Sequence, residues 1–427
     1  MSTYLPRLID GQLRATLNEL PAIALNGPKG VGKTATAQQL AAAVIRLDVP
    51  SQREAFGADP GRLNTAPAPV LIDEWQRLPE TWDVVRRWVD DGAPAGSVIL
   101  AGSATPRGAA IHSGAGRITT LRLRPMSLAE REVATPTISL ESMLSGTATI
   151  DGTSDLTLRD YVDEITGSGF PGIRRLSARG RARQLDAYLD NVVQREFPDQ
   201  GLSVRAPETL RRWLRAYAAA AGTTASYARI LDAATPGETG KPAKTTTIAY
   251  RDVLQSLWLL DPLEPWAPDA TDLGRLGQSP VHSLADPALA CRLLRISADD
   301  LWEGEADADP LVDRVGSGFG TFLGRMFKCL VGLSVRVYAG YRDADVGHLR
   351  TRNGDHEVDL VVHRGRRTVA LEVKLTPSVS DEDVRHLRWL RERMGPQLTD
   401  AAVVTTGPVA YRRRDGIAVV PAALLGP

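Results

Sequence analysis

Apolar positions near the amino end fall into short solid runs, each followed by a polar or amphipathic stretch. Ala22-Ile-Ala-Leu-Asn26 is the first such run, Val70-Leu-Ile72 the next, and Val98-Ile-Leu-Ala101 a third. Short apolar runs bounded by turn residues predict buried strands. Thr119-Thr-Leu-Arg-Leu-Arg124 alternates instead and stops at Pro125, which predicts a further strand. Residues 34–43 are mostly good helix formers, and 81–89 also read as helix. Strands alternating with helices predict an α/β module with a parallel sheet. In such sheets ligands lie beyond the carboxyl ends of the strands.

Past residue 155 the rhythm turns helical. Residues 155–165 and 184–193 carry apolar side chains at helical spacing, with Gly169-Phe-Pro171 as a break between them. Residues 226–234 predict a helix, 235–244 a polar loop, 246–257 a second helix and 258–265 a strand. That order suits a winged helix, with Lys244, Thr247, Tyr250 and Arg251 turned toward DNA or the whole unit serving as a protein–protein element. Arginines crowd this region (Arg174, Arg175, Arg179, Arg181, Arg183, Arg205, Arg211, Arg212 and Arg215). They form either a solvated helix face or a surface for phosphates. The acidic stretch 299–309 predicts an exposed connection. From Gly316 a helix over 319–330 and then strands are expected. His356-Glu-Val-Asp359 opens one strand and Arg367-Thr-Val-Ala-Leu-Glu372-Val-Lys374 forms the next, joined through Gly365-Arg366. A two-residue turn with glycine first pairs positions that sum to 731, which sets Asp359 opposite Glu372. Glu372 and Lys374 then share a face.

Composition narrows the class. The chain has 427 residues, 43% hydrophobic and 24% charged, so an ordinary multi-domain globular protein is expected. Formal net charge is zero, and only local patches can argue for nucleic acid or membrane. Cys291 and Cys329 read as small core residues in a reduced compartment. The amino end lacks an apolar signal core and no apolar run approaches membrane-spanning length. A cytoplasmic protein with no membrane contact is expected.

The loop after the first strand carries the chemistry. Gly27-Pro-Lys-Gly-Val-Gly-Lys-Thr34 spells GxxxxGK[ST] between a predicted strand and a predicted helix. The plain alternative is a glycine turn before an ordinary helix. In the phosphate-binding reading, the backbone from Gly27 through Pro28, Lys29, Gly30, Val31 and Gly32 to Ala35 wraps an anion. Lys33 meets the β/γ-phosphates and the Thr34 hydroxyl meets Mg²⁺. Asp73 and Glu74 end the second apolar run. The first suits Mg²⁺ and the second suits orienting or deprotonating the attacking water. Gln76 is placed to touch nucleotide or partner. Ser103 ends the third run and can hydrogen-bond a γ-phosphate or the water. In the last module Asp359, Glu372 and Lys374 match the D…(D/E)-x-K arrangement in which acids hold a metal ion and the lysine positions water. An ion-paired structural remnant is the alternative.

Tyr4-Leu-Pro-Arg7-Leu-Ile-Asp10, the glycine loop, Ile72-Asp-Glu-Trp-Gln-Arg-Leu-Pro79, Ala101-Gly-Ser103, Gly116-Arg117 and Arg124-Pro-Met-Ser-Leu-Ala-Glu130 together resemble one family. It is the prokaryotic AAA-type P-loop ATPases with a C-terminal domain of unknown function built on a restriction-endonuclease-like core. The resemblance implies ATP and Mg²⁺ as cofactors. It makes Arg117 a candidate γ-phosphate sensor, in cis or in trans. Taken with the patterns above, it gives an expected ATPase core over 1–150, a helical lid and winged-helix-like region over 151–270, a connecting segment over 271–315 and a restriction-endonuclease-like domain over 316–427. One departure stands out: Gly320-Thr-Phe-Leu-Gly324 replaces the Gly-x-Leu-x-Glu common in the family, so one acid of the metal set is missing. The expected activity is ATP hydrolysis coupled to the C-terminal module. The alternatives are an ATP-gated nuclease and a non-enzymatic regulator or antitoxin-like protein. DNA, RNA, a protein or further copies of the chain are the candidate partners.

Overall fold

The computed structural model describes residues 4–103, 115–200, 207–235, 243–266, 279–351 and 354–427. The first sheet contains β1 (Ala22–Asn26), β2 (Ala43–Arg46), β3 (Val70–Asp73), β4 (Val98–Gly102) and β5 (Thr119–Arg122). All five are parallel, in the order β2-β3-β4-β1-β5. β3, β4 and β1 lie inside the sheet and are buried on both faces, which is why their sequences are solid apolar runs rather than alternating ones. Helices Leu8–Glu19, Lys33–Gln38 and Glu80–Asp90 accompany the sheet.

The predicted helix over 34–43 is shorter than expected. It ends at Gln38, and β2 begins at Ala43. Ala-Val-Ile-Arg at a half-exposed sheet edge carries little signal of its own, so helix propensity ran through it.

The middle of the chain is helical: Leu158–Gly167, Ala178–Asn191, Pro207–Ala219, Tyr227–Ala233 and Lys244–Ser256. Between Val192 and Glu196 the chain makes a π-helical turn. After Lys244–Ser256 come antiparallel bridges, Leu260 to Leu284 and Leu263 to Val281. Tyr250 is buried and packs edge-on to Phe197 and Trp213, with ring centroids 5.7 and 6.4 Å away. The expectation that it faces DNA is corrected: its ring is core. Residues 236–242 of the polar loop, and Arg205, lie outside the described residues.

β6 (Ile138–Ser139) follows the first sheet in the chain. The last sheet comprises β7 (Asp345–Arg350), β8 (Glu357–Arg364), β9 (Arg367–Lys374), β10 (Leu398–Thr405), β11 (Tyr411–Arg412) and β12 (Ala418–Pro421). Its order is β11-β12-β10-β9-β8-β7. β7, β8 and β9 form an antiparallel meander, whereas β9, β10 and β12 are parallel, with helix Arg385–Met394 making the β9-to-β10 crossover. The pairing Arg364 to Arg367 through Leu360 to Leu371 sums to 731 at every rung, the predicted register. Gly365 takes φ +61°, which a turn starting with glycine requires. Helix Phe322–Tyr341 starts later and runs longer than expected, because its apolar face stays buried well past Leu330. Finally, β13 (Leu425–Gly426) pairs in parallel with β6 in a small sheet of its own.

Candidate functional site

β1 hands the chain to the loop at Asn26. Gly27 has φ +154°, and a Cβ there would stand 2.2 Å from the Leu123 carbonyl oxygen, so no other residue fits without moving backbone. Gly30 and Gly32 take φ +77° and +107°, a left-handed conformation that glycine adopts at no steric cost. Pro28 and Val31 are buried, and Lys29, Gly30 and Ala35 face solvent.

Lys33 opens the following helix and is 7% exposed. Its ammonium donates to the carbonyl oxygens of Gly27 (2.8 Å) and Pro28 (2.9 Å) and lies 3.4 Å from Ser103 Oγ. Burial lowers its pKa to about 8, against the upward pull of Glu74 and Asp73. Thr34 Oγ1 donates to Asp73 Oδ1 at 2.8 Å. Burial raises Asp73 above the ordinary carboxylate range. It raises Glu74 as well, with the Asp73 charge adding to the effect. Glu74 sits in a left-handed turn (φ +52°) and accepts from Gln76 Nε2 at 2.6 Å. The structure thus brings Lys33, Thr34, Asp73, Glu74 and Ser103 together at the carboxyl ends of β1, β3 and β4. The donor set fits a magnesium triphosphate. Thr34 and Asp73 are hard oxygen donors already in mutual contact, and the Lys33 ammonium is held by loop carbonyls that an anion can replace.

Arg117 is not part of this cluster. It precedes β5, whose register sets Thr119 beside Ile23 at the opposite end of the sheet, and it pairs with Asp90 at 2.8 Å. Sequence reasoning passed over two supports of the loop. Arg7 is buried and donates through Nη1 to the Val31 carbonyl (3.2 Å), through Nη2 to the Arg124 carbonyl (2.7 Å) and through Nε to Glu130 (3.0 Å). Lys29 pairs with Glu196, in the π-helical turn of the middle region. Arg7 and Glu130 both lay within the motifs quoted above, but no spacing rule joins residues 123 positions apart.

In the last sheet Asp359, Glu372 and Lys374 do come together. Val373 N–H donates to Asp359 Oδ2 at 2.9 Å, and Lys374 Nζ lies 3.0 Å from Glu372 Oε1. A residue not foreseen joins them. Lys328, on helix Phe322–Tyr341, donates to Asp359 Oδ1 at 2.7 Å. It stands one helical turn beyond Gly324 and therefore on the same face. Each acid already has an ammonium partner. Two carboxylates neutralised by two lysines offer few free oxygens to a hard divalent cation, which needs several. Burial pushes Glu372 well above the ordinary carboxylate range, with the Asp359 charge adding to the effect and the lysines opposing it. Among the described residues no group of three or more His, Cys, Asp or Glu could hold a metal ion.

Most of the middle arginines that the structure describes answer local partners. Arg174 makes a two-pronged pair with Glu164 (2.7 and 2.8 Å), Arg211 pairs with Asp190, and Arg181 caps the Leu176 carbonyl.

Residues 19–132 match a family model described as an AAA domain. Residues 158–300 and 323–425 match two models described as domains of unknown function, DUF8612 and DUF4143. An uncharacterized protein of Mycobacterium tuberculosis, Rv2008c, is 27% identical over 96% of this chain and 82% of its own length. The same figures hold for an uncharacterized protein of Mycobacterium bovis, Mb2031c. A solved Walker-type ATPase of Pyrococcus abyssi, PABY2304, aligns with 67% of this chain and 94% of its own, at 16% identity and a TM-score of 0.38. The amino-terminal module is AAA-type and P-loop ATPase-like. No helix among the described residues is long and apolar enough to cross a membrane.

Proposed function

We propose that the protein binds ATP with Mg²⁺ in the Gly27–Ala35 cradle, hydrolyses its γ-phosphate, and couples that cycle to the middle and C-terminal modules. The observation that carries this reading is the convergence of Lys33, Thr34, Asp73, Glu74 and Ser103 at one end of the parallel sheet. The Lys33 ammonium exchanges its loop carbonyls for β- and γ-phosphate oxygens. Thr34 and Asp73 would hold Mg²⁺, which when bound neutralises charge on those oxygens. Glu74 orients a water and accepts its proton as the water oxygen bonds to the γ-phosphorus. The bond to the β-phosphate oxygen breaks, and ADP and inorganic phosphate leave. A buried carboxylate with a raised pKa is a better base than a free one, which suits Glu74 to this step. Ser103 hydrogen-bonds the γ-phosphate or the water. Arg117, with its surface partner Asp90, takes no part in this reading.

Two contacts support coupling: Lys29 of the loop to Glu196 of the middle region, and Arg7 to the Val31 and Arg124 carbonyls, with Arg124 in turn paired to Asp261 of the middle region. We read the helices Tyr227–Ala233 and Lys244–Ser256 with their following bridges as a winged-helix-like packing unit, since Tyr250 faces the core. We read the last module as restriction-endonuclease-like from its antiparallel meander followed by parallel strands, and its lysine-paired acids favour a binding or transmitting role over cutting.

The test is ATP binding and phosphate release by wild type, Lys33→Ala and Glu74→Gln. Loss of binding is expected in the first variant, and retained binding without turnover in the second. Normal turnover by Glu74→Gln would remove Glu74 from its role.

A further inference from the structure

The middle region touches the glycine loop at two points. Pro171 packs near Gly32, where a Cβ would stand 3.9 Å from the proline Cγ. Glu196 reaches Lys29, with its Oε1 2.5 Å from the ammonium. The Lys29 side chain is 55% exposed and that of Glu196 17%, so the pair sits at the mouth of the cradle rather than in the core.

The charge of this contact runs against the purpose of the loop. A phosphate cradle is built to receive an anion, and Asp73 and Glu74 serve Mg²⁺ and water there. Glu196 has neither task. It comes from another part of the chain and joins Glu74 and Asp73 as a third carboxylate whose field reaches Lys33. With no anion bound, a carboxylate on Lys29 is favourable. When a triphosphate arrives, the same carboxylate faces several negative charges at short range. An exposed Lys–Glu pair is weak, so the incoming anion decides the outcome.

The backbone at Glu196 is set up to shift. Glu196 ends the π-helical turn Val192–Glu196, in which the Phe197 N–H donates to the Val192 carbonyl five residues back. Pro198 follows and has no N–H to return to Gln194, so the α-helical ladder is broken at that point. Turns of this kind are rare and frequent at functional sites. Relaxing one to α-helical pairing turns the residues after it by about one position, roughly 100°, relative to the helix before it. That is enough to carry Glu196 off Lys29.

Resting on the ATP reading above, we propose that Glu196 is a resident anion that latches the empty cradle. ATP expels it from Lys29, and the π-helical turn shifts as it leaves. The coupling therefore has a sign: Glu196 opposes ATP binding, and ATP loosens the chain around Val192–Glu196.

Two measurements on the full-length chain test this. ATP with Mg²⁺ is titrated calorimetrically into wild type, Glu196→Gln, Lys29→Gln and the double variant. Glu196→Gln should bind ATP about threefold or more tightly than wild type. In the Lys29→Gln background the same change should matter less, because nothing then holds the carboxylate at the mouth. Hydrogen exchange over residues 192–199 is followed with and without ATP. ATP should speed exchange there in wild type, and in Glu196→Gln exchange should be fast before ATP is added. Equal or weaker ATP binding by folded Glu196→Gln, or wild-type exchange that ATP slows or leaves unchanged, overturns the latch and leaves the ATPase reading standing. Folded wild type that binds no ATP removes the ATPase reading and the latch with it.

Discussion

Gly27 and Gly30 hold the same loop for different reasons, and substitution separates them. At Gly27 a new Cβ meets the Leu123 carbonyl oxygen at 2.2 Å, while at Gly30 nothing lies within 4 Å and only the left-handed φ objects. Gly27→Ala should therefore cost about 1–3 kcal/mol of stability through forced backbone movement and abolish ATP binding. Gly30→Ala should cost about 1 kcal/mol and weaken binding only partly. Thermal melts with ATP titrations on both variants check this. Equal effects would show that conformation, rather than the close approach, shapes the loop.

Lys33 gives a pH dependence whose sign is fixed. Its pKa in the free protein is lowered to about 8, and the charged form is the one that meets phosphate. ATP affinity should thus be full below pH 8 and fall as pH rises above it, beyond any change in ATP itself. In Lys33→Arg that decline should vanish, because guanidinium stays charged. A flat affinity profile from pH 7 to pH 9.5 in wild type would show that the lysine is not desolvated as described.

Among the elements, the glycine loop and the β8–β9 hairpin were the most legible in sequence, since each is governed by local rules. Three glycines followed by Lys33-Thr34 define the first. Alternation about Gly365 fixed the second down to its rungs. β2 was hidden because a four-residue edge strand competes poorly with a preceding helix pattern. Tyr250 was misassigned because helical periodicity gives a face but not its direction, and the aromatic neighbours Phe197 and Trp213 lie far away in the chain. Tyr250→Ala should accordingly cost about 3–5 kcal/mol, as a core aromatic does, with an unfolding shift visible without any nucleic acid. Lys328 was missed for a similar reason: nothing in a helix pattern announces an ammonium reaching Asp359 across 31 residues. Replacing it tests the lysine-paired reading of the last sheet. Lys328→Glu should create affinity for Mn²⁺ that disappears on adding Asp359→Ala, whereas wild type without nucleotide shows none at that site. Mn²⁺ binding by wild type that depends on Asp359 would restore the metal-site reading.

At the scale of the whole molecule, Asp261 is where the three modules depend on one another. Arginines from the first and last modules converge on a middle-region carboxylate. Burial alone would raise Asp261, but Arg124, Arg336 and Arg122 hold it far below the ordinary carboxylate range. Its folded pKa is depressed, so its stabilisation is complete above the unfolded value of about 4 and drains away as pH falls below it. Asp261→Asn should cost about 3–5 kcal/mol near neutrality, since it leaves the buried Arg336 and the partly buried Arg122 and Arg124 facing an amide. The gap between variant and wild type should narrow in acid. A gap that stays constant down to pH 2 would mean the charge is not what binds the modules. No sequence rule pointed to this junction, because its members are scattered from Arg122 to Arg336 and only the folded chain gathers them.

The central claim is that the cradle holds a magnesium triphosphate and that Glu74 directs its hydrolysis. Single-turnover cleavage of ATP, with protein in excess and Mg²⁺ present, reads both parts in one experiment. Wild type should bind and release one phosphate per site, and Glu74→Gln should bind equally and release it at least about a hundredfold more slowly. Absence of ATP binding by folded wild type, or equal cleavage rates in the two proteins, would contradict the account.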